Sequence, residues 1–117
     1  MKVILESTLE PPKHIDEVAP RSEHDDALFA ELAAVLKKHH ALDRFGISLL
    51  HRHFPIAPGE FLLETTHTKS RTQTIKPISK TESAGEYIET SWRLGDGYIA
   101  VASRCKKIGD DHQEHDD

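Results

Sequence analysis

The chain has 117 residues with one cysteine and nine histidines, and its 15 bases against 20 acids give a formal charge of −5. A single cysteine excludes an internal disulfide, and no run of about 18 apolar residues exists to cross a membrane as a helix. The length suits one domain that folds without a metal or crosslink. Asp110, Asp111, Glu114, Asp116 and Asp117 gather at the C-terminus, so the remaining 15 acids balance the 15 bases. A neutral body lacks the clustered positive field that nucleic-acid binding requires, and no nucleic-acid partner is expected.

Residues 1–21 read as an extended or flexible N-terminal arm. Pro11, Pro12 and Pro20 exclude a helix interior there, while alternation over Lys2 to Thr8 suits an edge strand. The start is too short in apolar residues and too acidic for a signal peptide, which makes the cytoplasm the expected location. Ser22 to His40 is the clearest helix. Ser22 with Asp25 forms a capping-box pattern, and Glu23, Asp25 and Asp26 fill the first turn. Lys37, Lys38, His39 and His40 fill the last turn, so both ends complement the helix dipole. Leu28, Leu32, Val35 and Leu36 recur at helical spacing, widened by Phe29 and Ala33.

Beyond Gly46 the pattern changes to short runs bounded by turns. Ile47 to Phe54, Glu60 to Thr66, Thr72 to Ile78, Glu86 to Leu94 and Tyr98 to Lys106 are the expected strands. Pro58-Gly59 marks one turn, His67 to Arg71 a hairpin loop, and Gly95-Asp96-Gly97 a three-residue connection with glycine where positive φ is needed. Phe61, Leu63, Ile88, Trp92, Ile99 and Val101 are the expected inward positions. The sum is an α+β fold, one long N-terminal helix packed on an antiparallel sheet of about four to five strands. The domain spans residues 22–108, and residues 109–117 form a disordered acidic tail that contains His112 and His115.

The candidate chemistry centres on Leu49-Leu50-His51-Arg52-His53-Phe54-Pro55. On a strand, His51 and His53 would leave the same face, as two ligands of a divalent metal such as Zn²⁺, Ni²⁺ or Cu²⁺. His67, in the next loop, is the candidate third ligand, with His39, His40 and Cys105 as further options. The competing reading makes them the half-exposed face of an ordinary strand. Cys105 lies between Arg104 and Lys106, and flanking bases favour a thiolate, yet alternation groups it with inward Ile99 and Val101 as an inert thiol. Lys69, Arg71, Lys76 and Lys80 fall in a stretch without an acid, which fits an anion site or, more simply, a solvated edge. Glu60 and Glu64 share a face, but their spacing alone selects nothing. No phosphate-binding, zinc-protease, CxxC or nucleophile-elbow motif is present.

The run from Leu42 to Phe54, continuing through Glu60-Phe61-Leu62-Leu63-Glu64, resembles a family of short uncharacterised bacterial and fungal proteins with a Leu-Leu-His-x-His-Phe segment. The resemblance covers about a third of the chain and implies a self-contained domain; that family has no established activity to transfer. The residues therefore point first to a non-enzymatic binding or interaction protein with an unknown protein partner, present as a monomer or weak homodimer. The alternative is a histidine-dependent metal-binding protein or small metalloenzyme using His51 and His53.

Overall fold

The computed structural model describes residues 1–80 and 87–106. The acidic tail with His112 and His115 lies outside the described residues. The described residues form two compact units, one from residues 1–11, 54–80 and 87–106 and the other from residues 12–53.

The first unit is a five-stranded mixed sheet. Its strands are β1 (Lys2–Leu5), β2 (Glu60–His67), β3 (Thr72–Ser79), β4 (Tyr87–Gly95) and β5 (Tyr98–Lys106). β2 with β3 and β4 with β5 are antiparallel hairpins, as local turn chemistry dictates. The expectation of a wholly antiparallel sheet is corrected by β5, which runs parallel to both β1 and β2. β1 pairs residues 98–101 and β2 pairs residues 103–105, so they sit end to end along one edge of β5. β4 takes the other edge.

This stagger explains the short connection between β3 and β4. A parallel pair in register needs a crossover of about a dozen residues or more. Here the start of β2 meets the end of β5, which brings Tyr87 at the start of β4 to Phe61, with ring centroids 6.0 Å apart. Ser79, the last residue of β3, pairs with Glu60 beside the same point.

β5 has neighbours on both edges, so both of its faces contribute to the core. Ala100, Val101 and Ser103 are buried on it, with Phe61 and Leu63 on β2. Register puts Phe61, Leu63, Ala100 and Arg104 on one face and Ile99, Val101, Ser103 and Cys105 on the other. The first face is closed by the segment after β1. There Arg93 Nη1 donates to the Glu10 carbonyl at 3.0 Å and stands 3.9 Å from Glu6 Oε2. The Gly59 amide donates to Ser7 Oγ at 3.1 Å. Burial pushes the Glu6 carboxyl above its ordinary range, opposed by the Arg93 charge. On the same face the Arg104 guanidinium lies 4.4 Å from the Phe61 ring centroid.

The last hairpin differs from the expected three-residue connection. Gly95 pairs with Tyr98, leaving Asp96-Gly97 as the turn, and only Gly97 takes positive φ, at 85°. Gly95 is needed for space: a Cβ there would stand 1.9 Å from Tyr98 Cζ, inside the ring.

The second unit contains α1 (Asp26–Lys38), preceded by a 3₁₀ turn over Glu23–Asp25. The predicted capping box is present. Ser22 Oγ accepts from the His24 amide at 3.3 Å, and Asp25 Oδ2 accepts from the Ser22 amide at 3.0 Å. Arg21 pairs with Asp26 and lies over the Phe29 ring. At the other end the His40 amide donates to the Lys37 carbonyl at 3.0 Å and the Ala41 amide to the Leu36 carbonyl at 2.8 Å. That is a Schellman closure, with His40 at φ 55° in the position glycine usually fills. α1 buries none of its residues. Leu32 and Leu36 are half-buried, whereas Leu28, Phe29 and Val35 stay exposed.

The strand expected over Ile47 to Phe54 is absent. Its one ladder contact is an isolated parallel bridge between Arg52 and His14. Arg52 accounts for the geometry: its amide donates to the Lys13 carbonyl at 3.0 Å, its carbonyl accepts from the Ile15 amide at 2.9 Å, and Nε donates to the Pro12 carbonyl at 3.0 Å. The proline-rich neighbourhood limits continuation. Pro11, Pro12 and Pro55 lack amide donors, so no ladder extends from either side of this bridge.

A candidate interaction face on the sheet

The face that carries Val101, Ser103 and Cys105 has the most unusual composition. β1 contributes Val3 opposite Ile99; β4 contributes Leu94 opposite Ile99, Trp92 opposite Val101 and Ile88 opposite Cys105. β3 adds Ile75 through its pairing with Glu64, which itself stands opposite Cys105. Val3, Ile75, Ile88, Trp92 and Leu94 are all exposed, Leu94 to 75%. Ile88 and Trp92, expected inward, are thus corrected to the open side, although the alternation that grouped them with Val101 holds. They stay open because β4 is an edge strand, without the second neighbour that shields β5.

A polar strip crosses this apolar field. The Cys105 thiol donates to Glu64 Oε1 at 3.1 Å, with Thr90 Oγ1 3.7 Å from the sulfur. Thr90 and Ser91 hydroxyls stand 3.4 and 2.5 Å from Ser103 Oγ, where the β4–β5 register is irregular. The irregularity brings two consecutive β4 hydroxyls to one buried partner, as a bulge does. Burial pushes the Cys105 thiol up, and the Glu64 carboxylate adds to the rise, against a smaller opposing effect of Thr90. Burial first, and then the group the thiol touches, set this direction, not the bases beside it in sequence. Trp92 Nε1 donates to Glu89 Oε1 at 2.9 Å, which fixes the indole edge while its ring remains partly open. Sequence spacing carried no signal for Glu64, Thr90 or Ser103, because strand pairing alone unites them with Cys105.

His51 and His53 fall in the second unit, both exposed. Their rings meet edge to face, with centroids 4.9 Å apart and planes at 87°. His51 Nδ1–H donates to the Leu49 carbonyl at 2.7 Å. The pair is therefore formed, without the strand that predicted it. His67 ends β2 in the other unit. Among the described residues no group of three or more His, Cys, Asp or Glu side chains is placed to hold a metal ion. The bases Lys69, Arg71 and Lys76 lie in or beside the β2–β3 turn and on β3, all exposed.

The fold and this face define a small α+β domain with a mixed sheet and an open apolar surface. No family model, curated protein or solved structure matches the chain. Among the described residues no helix is long and apolar enough to cross a membrane.

Proposed function

We propose that this protein is a non-enzymatic interaction domain that receives a protein partner on the apolar sheet face. The observation that carries the reading is the alignment of Val3, Ile75, Ile88, Trp92 and Leu94 on one face, all exposed. Contiguous apolar surface of more than a few hundred Å² is uncommon on monomers, and such patches mark contact sites. Covering it gains roughly 25 cal/mol for each Å² removed from water. The polar strip of Glu64, Thr90 and Ser103 supplies register rather than reactivity, since its thiol is held protonated.

The test is affinity capture with wild-type protein and with Leu94→Glu and Ile88→Glu variants whose circular dichroism is unchanged. A partner that binds saturably to the wild type, shifts Trp92 emission to the blue and is lost from both variants supports the reading. Turnover of a defined substrate, abolished by Glu64→Gln or Cys105→Ala, would replace it with an enzymatic one.

A second reading rests on the His51/His53 geometry. One imidazole already anchored through Nδ1 to a carbonyl presents Nε2 as metal ligands commonly do. On this reading the full chain binds Zn²⁺, Ni²⁺ or Cu²⁺ stoichiometrically in calorimetry. His51→Ala/His53→Ala abolishes the binding, whereas His112→Ala/His115→Ala leaves it. The reverse pattern would assign any uptake to the tail.

A further inference from the structure

We propose that α1 pairs with α1 of a second copy of this chain, antiparallel across a two-fold axis, to make a weak homodimer. This inference concerns the second unit alone and does not rest on the sheet-face reading. Three observations carry it: an apolar stripe with no buried member, its extent, and the charge pattern along its flank.

Leu28, Leu32 and Val35 repeat at the four- and three-residue steps that place side chains on one seam, with Phe29 and Leu36 beside them. None is buried, and Leu28 and Val35 are each 53% exposed. Leu42, just past the helix end, is also exposed. With the flanking stems of Glu31 and Lys38, two such stripes suit an interface near the lower bound of about 1,000 Å² for specific association. A surface of that size fits a dimer in the micromolar range rather than an obligate one.

The charges select a second copy, and its direction, as the occupant. The helix starts with Glu23, Asp25 and Asp26 and ends with Lys37, Lys38 and His39. An antiparallel partner sets each acidic start against the other's basic end and opposes the two helix dipoles. Glu31 and Lys38 lie two turns apart on one flank of the seam, about 10 Å along the axis. In an antiparallel pair that flank faces its own copy, so Glu31 of each chain meets Lys38 of the other. A parallel pair would bring like ends together.

The experiment is sedimentation velocity on the full chain from low micromolar to several hundred micromolar. A reversible monomer–dimer equilibrium is expected, and Val35→Glu, an exposed change that leaves helicity intact, should abolish it. Lys38→Glu makes the flank wholly acidic and Glu31→Lys makes it wholly basic. Each alone should weaken the dimer about tenfold, and their equimolar mixture should recover it as a heterodimer. The mixture compares chains with opposite errors, so a general loss of helix stability cannot mimic recovery. A monomer at every concentration would overturn the proposal. A dimer that survives Val35→Glu would place self-association elsewhere. A dimer lost in Val35→Glu, with no recovery on mixing the charge variants, would overturn the antiparallel arrangement.

Discussion

The thiol of Cys105 donates a hydrogen bond to the Glu64 carboxylate at 3.1 Å, joining two strands across 41 residues of sequence. Burial, and then this contact, favour the neutral thiol, because a thiolate there would lose water and face a second negative charge. Alkylation of Cys105 by iodoacetamide at pH 8 should be slower than that of an unfolded control. Glu64→Gln removes the charge but keeps an acceptor, so the thiol titrates at lower pH and the pH–rate curve moves to the acid side. An unchanged curve would show that burial alone sets the reactivity.

Gly95 and Tyr98 test the end of the last hairpin. The ring of Tyr98 occupies the space a side chain at position 95 would need. Gly95→Ala must displace that ring, with a loss of about 1–3 kcal/mol as in other overpacked sites. In a Tyr98→Ala background the same change should cost far less. Denaturant unfolding of the four proteins gives the coupling directly, and additive losses would contradict the packing account.

His40 holds a left-handed conformation at φ 55° to close the helix. An L residue there carries strain of about 1–2 kcal/mol, offset by the greater freedom glycine has when unfolded. His40→Gly should therefore leave the helix unchanged or stabilise it by up to about 1 kcal/mol, whereas β-branched His40→Val should destabilise it by a similar amount or more. Thermal melts followed at 222 nm measure both.

Glu6 provides the pH test. Its carboxyl titrates above the ordinary range because burial outweighs the attraction of Arg93. Between its unfolded and folded pKa the native state holds the extra proton, so this group's contribution to stability falls as pH rises through that window. Glu6→Gln should be more stable than wild type at pH 7, and the advantage should vanish as pH drops to about 4.5 and below. Stability curves from pH 3 to 8 decide it; an advantage that grows with acid would reverse the sign and assign the shift to Arg93.

The elements carried by local chemistry were legible in the residues. Ser22 and Asp25 announced the helix start, and the turn residues announced both hairpins. His51 and His53 stand ring to ring, but no strand face places them there: one backbone bridge between Arg52 and His14 holds the segment. An apolar run becomes a strand only beside a neighbour with free donors, and Pro12 and Pro55 limit that here.

By itself, then, the sequence determined the helix and its N-terminal cap, the two hairpins and the alternation that puts Trp92, Ile88 and Val101 on one face. Each depends on residues within about a turn or a hairpin of one another. Tertiary structure alone decided that β5 lies between β4 and the β1–β2 edge, antiparallel to the first and parallel to the second, and that Cys105 meets Glu64 rather than the bases beside it. It also decided which of the alternating faces stays open. The reason is common to all three: pairing between distant strands is set by the summed fit of two faces and an edge, and no single residue or spacing encodes that sum.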